Sequence, residues 1–208
     1  MCGRYVITNA VSKTSKMVKT AIKVEDSENY NAHPYQNLPV IKKYNNGNTL
    51  ENLKWGIVPS WAKKKDFKPL INARLETIDE KVSFKKLIKN HRCVAVADGF
   101  YEWKREENEK TPHYFVRKDS NVIYFAGIFE EDQFCLITEE AKENIKEIHH
   151  RQPVILNQAD VNRYLNLELQ GSAFLNERKV PDLIFHEVSK DVNKPTNNTA
   201  SLIQKISN

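Results

Sequence analysis

Short apolar-rich runs recur along this chain, and they constrain its fold more than any other feature. They fall at residues 4–8, 38–44, 49–55, 93–97, 114–117, 122–128 and 134–137. Each is too brief for a stable helix and rich in β-branched or aromatic side chains, which suit a pleated, half-buried surface. Asn45-Asn46-Gly47 between two runs predicts a hairpin, because Asn and Gly tolerate positive φ. Apolar spacing predicts helices over 12–22, over 79–89 through Val82, Leu87 and Ile88, over 139–148, and over 158–165 behind an Asn157 cap.

With no repeat, low-complexity tract or Pro/Gly/Ser linker, these elements belong to one core, so the reading is a single α+β domain, 1–208, dominated by strands. A chain of 208 residues is long enough for this, since such a domain buries roughly 70% of its unfolded surface. No apolar run approaches the ~20 residues of a spanning helix, and the first residues lack the apolar stretch of a signal peptide. A cytoplasmic protein with no membrane contact is expected. Cys2, Cys93 and Cys135 lie far apart without a CxxC pair, which speaks against structural zinc and against a disulfide framework. No Gly-rich phosphate loop or HExxH pattern is present, so neither cofactor nor metal is expected. The net charge of +5 favours an acidic partner such as nucleic acid, although solvated lysine faces give the same number.

Three connecting segments mix aromatic, charged and amide groups as a lined groove would: Trp55-Gly56-Ile57-Val58-Pro59-Ser60-Trp61, Ile71-Asn72-Ala73-Arg74-Leu75-Glu76-Thr77 and Asp98-Gly99-Phe100-Tyr101-Glu102-Trp103. Cys2 is the most informative single residue. A small side chain at position 2 permits removal of the initiator Met, leaving an α-amine beside a thiol. Such an aminothiol condenses with aldehydes, first to a Schiff base and then to a thiazolidine ring. Ordinary pKa values of about 8 for the amine and about 8.5 for the thiol leave some of each reactive form at neutral pH. From its position alone, Cys2 could equally be a small residue packed at the start of a strand.

Met1-Cys2-Gly3-Arg4-Tyr5 resembles the opening of SOS response-associated peptidase (SRAP) proteins. Further blocks follow in the same order: Tyr30-Asn31-Ala32-His33-Pro34, the Trp55 and Asn72 segments, Arg92-Cys93 through Ala97 to Trp103, and Ile148-His149-His150-Arg151-Gln152-Pro153. Val188-Ser189 and Val192-Asn193 resemble the closing segment, so the likeness covers nearly the whole chain. It implies a barrel-like antiparallel or mixed core with flanking helices, in a protein that crosslinks to abasic sites in single-stranded DNA.

By the resemblance, the nucleophile falls on Cys2, a positioning amide on Asn72, an acid/base carboxylate on Glu102 and a histidine on His149. Glu102, among Phe100, Tyr101 and Trp103, should be desolvated and its pKa raised, although an exposed strand residue would look the same in sequence. His149 could instead be a cation at a helix end, and Asn72 a turn former. Arg4 and Arg74 are candidates for gripping phosphates, with structural ion pairs as the alternative. Pro34, Trp55 and Trp61 are candidates for base stacking, with core tryptophan as the alternative.

The expected activity is abasic-site capture, with lyase-type strand cleavage or peptidase chemistry as further possibilities. The expected partner is abasic single-stranded DNA, met by a monomer that is nucleoid-associated when bound. A thiol peptidase using Cys2 and His149, and a non-covalent reader of modified DNA, are the alternatives. Two departures from the family pattern stand out: Gln152 replaces a usual Met, and Glu139 replaces a frequent Thr, adding a negative charge expected to weaken DNA contact.

Overall fold

The computed structural model describes residues 2–206 except 16, 17, 19, 20, 23, 25–27, 46, 63–65 and 108, and it leaves out the side chains of 21, 22, 143 and 144. The strands are β1 (Tyr5–Ile7), β2 (Ala21–Ile22), β3 (Asn29–Ala32), β4 (Asn37–Tyr44), β5 (Gly47–Trp55), β6 (Asn72–Arg74) and β7 (Arg92–Ala97). They continue as β8 (Gly99–Glu106), β9 (Glu109–Arg117), β10 (Ile123–Glu130), β11 (Gln133–Glu140), β12 (Arg151–Pro153), β13 (Ile155–Leu156) and β14 (Leu183–Glu187). Helices α1 (Ala10–Ser15), α2 (Leu87–Asn90), α3 (Gln158–Leu165) and α4 (Ala173–Glu177) flank them.

One sheet runs β14-β9-β8-β1-β3 and the other β12-β11-β10-β7-β4-β5-β2, with β13 beside β10 and β6 beside β11. A parallel pairing of β11 with β5, Phe134 opposite Trp55, joins β5, β4, β7, β10 and β11 into a ring-like sheet. The run over 93–97 explains the ring: every residue of β7 is buried, so it requires a neighbour on each edge and packing on both faces. The sheets meet through aromatic rings. Phe100 of β8 stacks on Phe115 at 5.0 Å and meets Phe125 of the ring edge-on at 5.8 Å. Tyr5 of β1 lies 5.1 Å from Trp55 and 5.6 Å from Phe125. Each such ring, once buried, contributes roughly 1.5–3 kcal/mol.

Each of the seven runs contains a strand or part of one, with Arg4, Thr8 and Val122 falling just outside, and the hairpin joins β4 to β5 with Asn45 at φ 50°; Asn46 itself lies outside the described residues. The helices are shorter than predicted. Over 12–22 only residues up to Ser15 are helical, 21–22 form β2, and part of the remainder lies outside the described residues. Over 79–89 the chain makes turns until α2, because Val82 is exposed rather than part of a buried stripe. Over 139–148, Glu139 and Glu140 extend β11 and only a 3-10 turn, Glu143–Glu147, follows. The fourth helix stands as α3, although the Asn157 side chain does not cap it and instead donates to the Lys179 carbonyl at 2.8 Å.

Candidate active site

β1 pairs with β8 so that Tyr5 faces Phe100, and the Tyr101 N–H donates to the Arg4 carbonyl at 3.0 Å. Extending this register toward the N-terminus brings Glu102 beside the first residues of the chain. Gly99 lets the Tyr114 ring of β9 pack directly against β8, since a Cβ there would collide with that ring. Asp98 fixes the other end of β1: its Oδ2 accepts N–H groups from Thr8, Asn9 and Ala10 at 2.6, 2.9 and 3.0 Å, anchoring the start of α1.

Cys2 is fully buried. Asn72, the first residue of β6, donates from Nδ2 to the Cys2 carbonyl at 3.0 Å, and the parallel pairing of β6 with β11 holds it there. His149 lies in the turn before β12, its Nδ1 3.9 Å from Glu102 Oε2. That nitrogen is also 2.9 Å from the Arg151 carbonyl and 3.0 Å from the Arg151 N–H, so either tautomer finds a partner in the same backbone. The structure therefore brings Cys2, Asn72, Glu102 and His149 together.

Glu102 is only 2% exposed, and burial pushes its carboxyl up to about 7. Burial likewise pushes His149 down to about 4. At neutral pH the pair is thus a neutral imidazole beside a carboxyl near its midpoint, not an ion pair, whatever its spacing suggests. Burial raises the Cys2 thiol far above its usual range, and the Glu102 charge adds to the effect. This is a site arranged to pass protons while its sulfur stays protonated.

Glu102 and His149 face a cleft of about 260 Å³ also lined by Arg4, Trp103, Arg105, Lys110 and Asn193. Arg105 and Lys110 escaped the sequence reading because they sit where β8 turns into β9, a hairpin that reads as a charged loop. A clamp was missed as well. Arg151 is held bidentately by Glu76, Nη1 to Oε1 at 2.7 Å and Nη2 to Oε2 at 2.9 Å, and it also donates to the Thr138 carbonyl at 2.8 Å. It locks the turn carrying His149 to the segment carrying Asn72. The charged residue inside each of those two blocks was the available signal.

Trp55 requires correction as a stacking candidate: it is fully buried, its Nε1–H donates to the Ile71 carbonyl at 2.9 Å, and it packs on Phe134. It offers no face to a base. Trp61 is 54% exposed, with Phe67 edge-on at 5.6 Å, and Pro34 is half-buried beside an exposed Tyr35. Arg74 is exposed in a second cleft with Lys146 and His150. Arg4 reaches the first cleft while its Nη1 donates to Asn31 Oδ1 and to the Val192 carbonyl, both at 2.7 Å. Among the described residues, no group of three or more His, Cys, Asp or Glu is arranged to hold a metal.

The two departures turn out to be partners. Glu139 and Gln152 face each other across β11 and β12, Gln152 Nε2 donates to Glu139 Oε1 at 2.9 Å, and buried Arg178 pairs with the same carboxylate. The expected weakening of DNA contact has no basis, because this charge points inward.

A fold that holds a buried residue 2 against an amide, a carboxyl and an imidazole defines the class: the chain belongs to the SOS response associated peptidase (SRAP) family, whose profile matches residues 1–195. The abasic site processing protein YoqW of Bacillus subtilis is 34% identical over 98% of this chain and 99% of its own length. The abasic site processing protein YedK of Escherichia coli is 30% identical over 99% and 100%. A crystal structure of a Bacteroides thetaiotaomicron protein shares the fold, with a TM-score of 0.81, 23% identity and full coverage of both chains.

Proposed function

We propose that this protein processes abasic sites in single-stranded DNA, capturing the ring-opened deoxyribose on the α-amine and thiol that Cys2 presents once Met1 is removed. The observation that carries the reading is the convergence of Asn72, Glu102 and His149 on the second residue of the chain. The amine attacks the C1′ aldehyde to give a carbinolamine. Glu102, near its protonation midpoint, donates a proton to the departing hydroxyl, and water leaves as the imine forms. The sulfur then bonds to the imine carbon and its proton passes to nitrogen, closing the thiazolidine with one water released and no redox partner. Strand cleavage by β-elimination from the imine competes with ring closure.

The cleft supports a nucleic-acid strand as the guest, since Arg4, Arg105 and Lys110 supply cations and Trp103 an aromatic edge. Trp61, Pro34 and Arg74 extend the path over the surface. The substrate reaches a monomer, whose site draws on one chain, at the nucleoid of the cytoplasm. A thiol peptidase is the weaker reading, because burial and the Glu102 charge oppose the thiolate such an enzyme needs. A non-covalent reader would leave Glu102 and His149 without a task.

Mature protein incubated with an abasic single-stranded oligonucleotide should give a heat-stable adduct on a denaturing gel, and Cys2→Ala should abolish it. Cys2→Ser should leave a labile imine-type adduct. No adduct from protein whose N-terminus is confirmed as Cys2 by mass spectrometry would overturn the proposal.

A further inference from the structure

The cleft at Glu102 and His149 has a neighbour. A second cleft of about 400 Å³ is lined by Arg74, Glu140, Ala141, Lys146, His150 and Arg151. The wall between the two is a pair of imidazoles: His149 and His150 stack with ring centroids 4.4 Å apart and planes 30° from parallel. His149 faces the first cleft and His150 the second. The wall is rigidly based, since Ala141 N–H donates to the His150 carbonyl at 3.0 Å and Arg151, next in sequence, is clamped by Glu76 and Thr138.

We infer that His150 is a positioning residue, which couples a DNA phosphodiester held in the second cleft to the orientation of the His149 imidazole. This rests on the reading that abasic single strands are the substrate. His150 is exposed, so its ring would move freely unless something held it. Arg74 and Lys146 share its cleft with Glu140, while Arg151 is already engaged by Glu76. A phosphate drawn in by Arg74 and Lys146 reaches the His150 edge and pins the ring against His149. His149 is then held over Glu102 at the moment a proton must move, where small misplacements are costly. Its face is also shielded from water, consistent with the burial that keeps it neutral.

The test separates stacking from phosphate contact. His150→Ala should slow single-turnover adduct formation about tenfold at saturating abasic oligonucleotide. His150→Phe keeps a flat ring but gives the phosphate no N–H, so it should stay well below the wild-type rate and weaken binding of an unmodified single strand about threefold. A His150→Ala rate equal to wild type, or a His150→Phe rate equal to wild type, overturns the inference. A second readout does not depend on adduct formation. Adding unmodified single-stranded DNA to the wild-type protein should shift the His149 imidazole resonances in NMR spectra, and should leave them in place in His150→Ala. Equal shifts in both proteins overturn the coupling. Absence of any wild-type adduct instead defeats the abasic-site reading and leaves the NMR comparison to judge His150.

Discussion

Two carboxylates are buried on strands of different sheets in this protein, and they are used in opposite ways. Glu139 on β11 receives Arg178, Gln152 and, at 3.3 Å, Lys142. Glu102 on β8 lies beside an imidazole that burial keeps neutral. The first is a knot in the framework, and the second is the proton carrier of the proposed reaction. Burial alone therefore does not make a working group: Glu139 is paired with the buried Arg178 guanidinium, whereas at Glu102 desolvation outweighs the cations near it.

Breaking the knot should cost the most. Glu139→Leu leaves the Arg178 guanidinium, 1% exposed, without its anion, and should destabilise the fold by about 3–5 kcal/mol in denaturant titrations. Adduct formation by whatever fraction remains folded should be unchanged; a selective loss of chemistry would erase the contrast. Glu102→Gln should do the reverse, slowing adduct formation by about 100-fold or more while leaving the fold intact.

The same variant should be more stable than wild type at pH 8, by on the order of 2–3 kcal/mol. A carboxyl raised to about 7 in the folded state keeps its proton between roughly pH 4.5 and 7 while the unfolded chain has lost it. Glu102 thus withdraws stability as pH rises through that window, and the advantage of Glu102→Gln should vanish near pH 4.5. His149, lowered to about 4, works the other way: the unfolded chain binds its proton first, so stability rises with pH between about 4 and 6.5. The two slopes oppose each other where they overlap. Thermal melts of Glu102→Gln should rise more steeply with pH from 4.5 to 6.5 than those of wild type, and parallel curves would remove Glu102 from the titrating pair. The smallest effect belongs to Gln152→Leu, which removes one neutral donor from Glu139 and should lower stability by about 1 kcal/mol without changing the pH profile.

Much of the framework could be read from residue pattern, because β4, β7, β10 and β11 bury continuous apolar runs and β5 alternates buried Leu53 and Trp55 with exposed neighbours. β6 and β8 passed for groove loops. In β8, Phe100 packs into the core while Glu102 and Trp103 face a cleft, so apolar alternation is interrupted where the strand does its work. Glu139 and Glu140 suggested a helix because a strand with buried charge is unusual, and only Arg178, 39 positions away, makes it sensible. The gathering of Asn72, Glu102 and His149 about Cys2 was legible through family resemblance, and the elevated carboxyl through its aromatic neighbours. The Glu76–Arg151 clamp and the Asp98 anchor were not, since each joins segments that only the folded chain brings together.

The Asp98 anchor has a consequence for how this molecule comes apart. Chain ends ordinarily fray first, which would suit poorly the long-lived attachment proposed at residue 2. Here one carboxylate gathers three successive amides just downstream of β1, and Arg4 is tied to the far end of the sequence through Val192. In hydrogen exchange the opening segment should therefore open together with the interior strands, and the tether proposed at Cys2 would then pull against the whole globule instead of a loose end.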